Sequence, residues 1–384
     1  MKTICVITGY RSDYTKLKSV LLSIKKHENL NLKIIVFGAH TLENCGETYQ
    51  QIIEDGFAVE EVLSTNIQGN NTDAMVKSIG VGLMEISSVL NKMKPDITLI
   101  VGDRYEIISA AIASSVNNIP VAHIQGGEIS GTIDEVLRHS ITKLSHVHFP
   151  STDKSAKRII KMGEDPSNVY NVGCPAVDYI LSQEYLNGKQ MNVHHDYKSF
   201  NLNFEKDYAV LIQHPVTTEY KKSNQQMTTT LESLQHANIP SILLWPNPDT
   251  GALGVVKAVR KFEEKYGPSS ILFDKIKNLP FNVYLNILKN CKFIIGNSSS
   301  GIREAHIFNV PAINIGTRQN GRERTNNIID VPHYKKDILN AITNIENFRL
   351  SSKNIYGSGK AGKKIADILN SIDYSSLLNK RFYD

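Results

Sequence analysis

Cysteine is scarce in this chain. Cys5, Cys45, Cys174 and Cys291 lie far apart among 384 residues, with no CxxC pair and no Cys/His spacing. That pattern argues against a disulfide framework and a zinc site, and predicts reduced thiols in a cytoplasmic chain. Long Lys/Arg runs are missing, and a formal net charge of +5 is mild for this length, so no nucleic-acid surface is expected. An anionic small ligand is compatible with that balance. No apolar run approaches membrane-spanning length, and no membrane association is expected. The opening "MKTICVITGY" is too short for a signal segment and reads as a first strand. Internal repeats and low-complexity tracts are absent.

What is present is globular. A hydrophobic content of 41% over 384 residues exceeds what one core usually holds, so two domains are expected. Short β-branched runs alternate with longer helical periods, the pattern of parallel sheets with helices on both faces. Strands are predicted at 3–9, 32–38, 97–103, 119–124 and 168–173, with helices at 13–26, 80–93 and 106–117 among them. After an aperiodic polar stretch at 181–207, further strands are predicted at 208–213, 241–246, 292–297 and 311–316. The expected division is a first doubly wound domain over 1–180, a second over 181–350 and a final helical segment over 351–384. Ligands of such sheets bind outside the carboxyl ends of the strands, and two facing sheets would hold theirs in a central cleft. The stretch "GSGKAGKK" (357–364) mimics a phosphate loop but lacks a preceding buried strand, so it reads as a loop before the last helix.

Polar residues concentrate at the predicted strand ends. In "HIQGGEISGTIDEVLRHSITKLSH", Gly126-Gly127 permits a sharp turn, and Thr132 with Glu135 forms a capping box that starts a helix near Ile133. Ile133, Leu137, Ile141 and Leu144 form its apolar stripe; Asp134 and Arg138 share another face. Glu128 and Asp134 then stand at the ligand edge. The plainer alternative is that Asp134 serves the helix dipole and forms a solvated pair with Arg138; for Glu135 that plainer role is preferred. "GDRYE" (102–106) places Asp103 at another strand end, as an acid or as a simple helix cap, with Arg104 offering a forked cation to an oxyanion. Near the first strand Arg11 can meet a phosphate, and Asp13 or Thr15 lies close to a helix start. His214 follows a buried strand in "LIQHPVTTE". In "IIGNSSSGIREA" (294–305) a strand runs into Asn297, Ser298, Ser299 and Ser300 and then a helix, whose N–H groups and hydroxyls would cradle a diphosphate. Glu304 could accept two ribose hydroxyls, and Arg318 after the next strand can face the same anion. A serine-rich cap serving only the helix is the alternative.

Taken together, "GDRYE", "GGEISGTIDEVLRHSITKLSH", "QHPVTTE", "PNPDTG", "GNSSSGIREA" and "GTRQNGRE" resemble the hydrolysing UDP-N-acetylglucosamine 2-epimerases that start sialic acid synthesis. The likeness runs from Arg11 to Arg324. It implies an α/β fold of GT-B architecture, two Rossmann-like domains with the C-terminal helix crossing back onto the first. By position, Arg11, Thr15, His214, Asn247, Ser298, Ser299, Glu304 and Arg318 look like UDP contacts. Asp103, Arg104, Glu128, Asp134 and Arg138 look like the sugar and acid/base side. The resemblance adds Ser130 to the substrate contacts and a catalytic part for His214 beside Asp103, Glu128 and Asp134. Gln125 replaces a glutamate found in relatives and is given no proton-transfer role. No cofactor and no metal are expected, and a homo-oligomer, dimer or tetramer, is. The implied reaction takes UDP-N-acetylglucosamine and water to N-acetylmannosamine and UDP. Departure of UDP from C1 makes the C2–H acidic; a carboxylate removes that proton, and water then adds to the resulting 2-acetamidoglucal. The same reaction on a UDP- or GDP-linked 2,4-diacetamido-6-deoxy sugar is an alternative. So are a GT-B glycosyltransferase and a catalytically silent sugar-nucleotide sensor.

Overall fold

The computed structural model describes residues 1–69, 71–186, 190–195, 198–203, 207–247, 249–276, 279–345, 348 and 354–384. The chain divides into two compact units. The first comprises Met1–Ile129, Ile133–Ser182 and Tyr356–Asp384, and the second Ser130–Thr132 and Gln183–Ile355. Among the described residues no helix is long and apolar enough to cross a membrane.

In the first unit, strands β1 (Lys2–Thr8), β2 (Leu30–Val36), β3 (Glu61–Val62), β4 (Ile97–Val101), β5 (Val121–Ile124) and β6 (Val147–Phe149) form one parallel sheet. Its order is β3-β2-β1-β4-β5-β6. The helices are α1 (Arg11–Lys25), α2 (Gln50–Glu54), α3 (Thr72–Met93), α4 (Ile107–Val116), α5 (Ile133–Leu144), α6 (Asp153–Lys161) and α7 (Pro175–Ser182). Side chains alternate across a strand, and β1 serves two cores accordingly. Ile4 and Val6 join Leu17, Ile24 and Leu99 on one face, while Cys5 and Ile7 join Phe37, Ile86 and Ile100 on the other.

The second unit repeats the plan. Strands β9 (Ala209–Ile212), β10 (Ser241–Leu244), β11 (Leu272–Ile276), β12 (Phe293–Gly296), β13 (Ala312–Ile315) and β14 (Ile328–Val331) pair in parallel in the order β11-β10-β9-β12-β13-β14. Helices α8 (Ser223–His236), α9 (Ala252–Tyr266), α10 (Phe281–Asn290), α11 (Ser300–Arg303) and α12 (Lys335–Asn344) connect them. A separate antiparallel ribbon, β7 (Gln190–His195) with β8 (Lys198–Asn203), occupies much of the polar stretch where no period was visible. The rest of 187–206 lies outside the described residues. In both sheets the winding reverses beside the strand that comes first in the chain, between β1 and β4 and between β9 and β12. Such switch points open a crevice at the carboxyl ends of the strands.

Several expectations shift. The run 168–173 is not a strand: a 3-10 turn at Pro166–Asn168 leads into one isolated bridge from Val169 to His148, and β6 takes the sheet position. Helix α3 starts at Thr72 rather than residue 80, because Asn71 caps it by accepting the Ala74 N–H at 2.9 Å. The last helix, α13 (Ala361–Ser371), packs Ile365, Ala366 and Leu369 into the first unit's core. Its N-terminal N–H groups, those of Ala361 and Gly362, are taken by the Asp178 carboxylate at 3.0 and 2.7 Å, so the glycine-lysine loop before it presents no anion site.

The chain's end is held by a buried carboxylate. Glu164 accepts from Lys143 at 2.6 Å, from Lys380 at 2.7 Å and from His148 at 2.9 Å. Lys380 also donates to the carbonyls of Lys143 and Ser145. Burial raises the proton affinity of Glu164, but the three donors outweigh it and bring its pKa down to about 2 from 4.5. Glu164→Gln should therefore destabilise the first unit by about 3–5 kcal/mol at neutral pH, the usual effect of breaking one partner out of a buried ionic cluster. A depressed carboxylate pKa gives stability that is present above the unfolded value and lost as pH falls. Urea titrations should thus find the difference shrinking between pH 4.5 and about 2.

Candidate active site

In the first unit the candidate residues gather on Arg138. This residue faces inward from α5 and is 1% exposed. The plainer alternative, a solvated Asp134–Arg138 pair, therefore does not hold, and part of the proposed stripe fails: Ile133 is 38% exposed, whereas Arg138, Ile141 and Thr142 are buried. A guanidinium is buried only with partners. Arg138 pairs with the carboxylate of Asp103, which follows β4, and donates from Nη1 to the backbone carbonyl of Glu128 at 2.7 Å. Asp103 is thus no helix cap. Glu106 occupies the capping position of α4 instead. Glu128 itself is buried, after the turn that leaves β5. That turn needs its glycines: Gly127 has φ +73° and a Cβ there would lie 2.4 Å from the Ser155 carbonyl. Asp134 sits half-buried in the first turn of α5.

Arg104 departs from expectation. Its guanidinium fork is held by Glu106, at 3.1 Å from Nε and 2.9 Å from Nη2, and stacks over Tyr10 at 4.6 Å. In this state the fork is spent on an internal carboxylate, so Arg104 braces the loop rather than standing ready as an anion clamp. Thr15, expected to touch UDP, bonds back to the Ser12 carbonyl at 3.0 Å within its own helix. Arg11 is half-buried at the start of α1, after β1.

Two histidines here carried no assignment from sequence. His40 lies fully buried between the hydroxyls of Thr8 at 3.0 Å and Thr48 at 2.8 Å. Burial, with the Arg104 and Arg11 cations nearby, lowers its pKa to about 3, so it is neutral. His123, also buried and brought to about 3 by desolvation, donates from Nε2 to the Gly102 carbonyl at 2.8 Å and so supports the turn before Asp103. Neither could be read from spacing, since both act through residues distant in the chain.

The second unit's half-site is organised by Asn297, a residue seen in the motif but given no part of its own. Its side-chain carbonyl accepts the His214 N–H at 2.7 Å and its amide donates to the His214 carbonyl at 2.8 Å. The loops after β9 and β12 are thereby locked across the switch point. The Asn297 carbonyl accepts from Arg318 at 3.2 Å and from Gln319 at 2.8 Å, which brings in the loop after β13. His214 Nδ1 accepts the Asn247 N–H at 3.2 Å, bringing in the loop after β10. An Nδ1 that accepts leaves the ring proton on Nε2, so His214 is set as a hydrogen-bond donor rather than as a proton acceptor. Ser130–Thr132 belong to this unit; Ser130 is buried and the Gly131 N–H donates to the Arg318 carbonyl at 3.1 Å. Pro248 of "PNPDTG" lies outside the described residues.

The serine cradle also differs from expectation. Helix α11 has four residues, and the N–H groups of Ser300, Gly301, Ile302 and Arg303 bond within the turn, to Ser298 Oγ and to the carbonyls of Ser298 and Ser299. A long helix with open N-terminal amides is not what this segment offers. Ser298 and Ser299 are half-buried, and Glu304 ends the short helix. Before them Gly296 has φ +127°, and a Cβ there would lie 2.0 Å from the Ile212 carbonyl, so the loop can leave β12 only through glycine. Among the described residues, no group of three or more His, Cys, Asp or Glu side chains could hold a metal ion.

Comparison with known proteins shows the family. The profile of the family described as UDP-N-acetylglucosamine 2-epimerase matches residues 22–370. The chain belongs to that family. It is 34% identical over 382 residues to the hydrolysing UDP-N,N'-diacetylbacillosamine 2-epimerase of Legionella pneumophila, covering 99% of each. It is 31% identical over 389 residues to the UDP-N-acetylglucosamine 2-epimerase of Neisseria meningitidis, covering 100% of this chain and 99% of that one. In fold it is similar to the Methanocaldococcus jannaschii UDP-GlcNAc 2-epimerase solved with UDP-GlcNAc and UDP, with a TM-score of 0.78 at 22% identity over 96% and 99% of the two chains. The two parallel-sheet α/β domains are thus those of the GT-B-like epimerases.

Asn297 yields a direct test. Asn297→Ala removes the bracket on His214 and the amide partner of a buried carbonyl, so UDP affinity by titration calorimetry should fall at least about tenfold, a change of about 1.4 kcal/mol. Asn297→Asp should behave similarly, because it sets a second acceptor against the His214 carbonyl. Unaltered affinity in both variants would place nucleotide binding away from this loop.

Proposed function

We propose that the chain is a hydrolysing UDP-N-acetylglucosamine 2-epimerase, releasing UDP and N-acetylmannosamine as the opening step of sialic acid synthesis. The carrying observation is the acid cluster gathered around Arg138, with Asp103 paired to it and Glu128 bound to it through its carbonyl. Relatives similar to the chain along its whole length, at 34% and 32% identity, are named hydrolysing epimerases. The polysialic acid biosynthesis protein P7 of Escherichia coli, 33% identical over 345 residues, supports the pathway.

The chemistry divides between two groups of residues. Ser298, Ser299, Arg318, Arg11 and the His214 donor suit the diphosphate, whose charge grows as the C1–O bond breaks. Asp103, Glu128 and Asp134 suit the C2 proton, which becomes acidic only as oxocarbenium character develops at C1. Loss of UDP and that proton leaves 2-acetamidoglucal. Addition of water at C1 and of a proton to the other face of C2 then gives the inverted sugar. Removal and delivery on opposite faces need more than one acid. Asn247 and Glu304 suit the nucleoside and Ser130 the sugar side, as substrate contacts, while Arg104, its fork held by Glu106, braces the loop that carries Asp103.

A second reading is favoured by the Legionella relative: the same reaction on a UDP-linked 2,4-diacetamido-6-deoxy sugar. Both substrates should be supplied separately, and the released sugar identified. We expect kcat/KM to favour UDP-N-acetylglucosamine, because a site that pairs its 4- and 6-hydroxyls rejects a sugar lacking one by up to about 10⁴-fold. Preference for the deoxy sugar would establish the second reading. In D₂O the product should carry one deuterium at C2. Retention of the original hydrogen would exclude elimination.

Asp103→Asn, Glu128→Gln and Asp134→Asn should each lower turnover at least about a hundredfold, the usual worth of a positioned acid or base, with UDP affinity little changed. Near-normal turnover in all three would overturn the assignment. Ser298→Ala with Ser299→Ala, or Arg318→Ala, should instead weaken UDP binding itself, since these groups meet the ground-state diphosphate as well as the transition state.

A further inference from the structure

Asp13 is fully buried in the first turn of α1, and neither of its carboxylate oxygens reaches a hydrogen-bond partner. An acid in a first helical turn usually serves the helix dipole while facing water. Here water is excluded. Its ion-pair partner is Lys16, one turn on, with Nζ 4.0 Å from Oδ1. The other charges facing it come from the loop after β4: Arg104 favours the carboxylate and Glu106 opposes it, while the Gly9 backbone adds some support without satisfying the group. Leaving such a group buried is unfavourable to the fold, and a neutral isostere would pack more stably.

Position supplies the reason. A Cβ placed on Gly102 would lie 3.5 Å from Lys16 Nζ and 4.0 Å from Asp13 Oδ1. Both charges therefore abut the backbone of the turn that carries Asp103 and Arg104. His123 holds the carbonyl of that same glycine at 2.8 Å. We propose that Asp13 is a positioning residue for the acid/base half-site: its carboxylate holds the Lys16 ammonium against Gly102 and thereby fixes the turn that presents Asp103. The role rests on the function proposed above and deepens it.

Desolvation raises the Asp13 pKa to about 6 from 3.8. The sign follows directly. An acid bound more tightly to its proton in the fold than in the unfolded chain stabilises the fold below pH 3.8, and that contribution disappears as pH rises through about 6. The carboxylate that positions the turn is the form that disfavours the fold. Asp13→Asn, unable to ionise, should therefore be the more stable protein and the poorer enzyme.

Three measurements on the full chain and the Asp13→Asn variant, from about pH 5 to about pH 8, test this. The variant's Tm should exceed the wild type's by about 2–4 °C at the alkaline end, and the gap should narrow towards the acid end. Its kcat on UDP-N-acetylglucosamine should be at least about tenfold lower at the alkaline end, with KM and UDP affinity within about twofold. The wild-type decline in kcat below about pH 6 should be missing from it. The amide signals of Gly102 and Asp103 should titrate near pH 6 in the wild type and not in the variant. A variant that is less stable at every pH, or that keeps wild-type turnover and acid limb, would make Asp13 a packing residue. Should the wild type release UDP from neither nucleotide sugar, the functional reading falls. The amide titration still decides the positioning role, and its persistence in Asp13→Asn would overturn it.

Discussion

A guanidinium cannot be buried alone, and the first unit is arranged around that constraint. Arg138, 1% exposed, needs anionic and carbonyl partners, and chain segments beyond its own helix supply two of them. The loop after β4 brings Asp103 and the loop after β5 brings the Glu128 carbonyl. Three elements distant in sequence are thereby tied at one sheet edge. The tie also explains why the inner face of α5 is not a continuous apolar stripe. Where the helix passes the carboxyl ends of the strands, it needs charge rather than leucine.

The second unit meets the same task with neutral groups. Asn297 joins the loops after β9, β12 and β13 through amide and carbonyl contacts, and His214 extends the network to the loop after β10. For the diphosphate proposed to bind here, this is an advantage. Fixed carboxylates would repel the ligand, whereas a carboxamide that donates and accepts holds backbone in place without net charge. The acid-rich half and the neutral half use one sheet topology with different electrostatics. Their chemistry follows from the groups that close each switch point, not from the fold they share.

The sequence told more about the interior than about the edges. Strands β1, β4, β9 and β12 are buried on both faces and appear as apolar runs at nearly the right positions, each ending a residue or two earlier than expected. Short outer strands leave no such run: β3 is two exposed residues and β14 is half-buried with a charged residue within it. Strand β6 has three residues, too short a run to stand out between two polar segments. In the sites, the residues at strand ends were legible because a doubly wound topology directs ligands there. Their partners were not. Arg138 with Asp103, Asn297 with His214 and His123 with Gly102 are contacts across 21 to 83 positions, and no local pattern encodes them. The Arg104 fork and the Ser300–Arg303 amides were visible as groups, but their internal use by Glu106 and Ser298–Ser299 was not.

Substrate identity lies one step further from the sequence, for a chemical reason. The proposed reaction takes place at C1 and C2, and a nucleoside diphosphate leaving group is common to the nucleotide sugars considered. The sugars differ at C4 and C6, where neither the acids nor the diphosphate contacts need distinguish them. Relatives named for different sugars can therefore match this chain from end to end at 34% and 31% identity, and do. Overall similarity measures the shared machinery, which constrains most of the fold. Selection among sugars depends on the few buried polar groups left paired or unpaired around two carbons, and a few substitutions there change specificity without altering the rest.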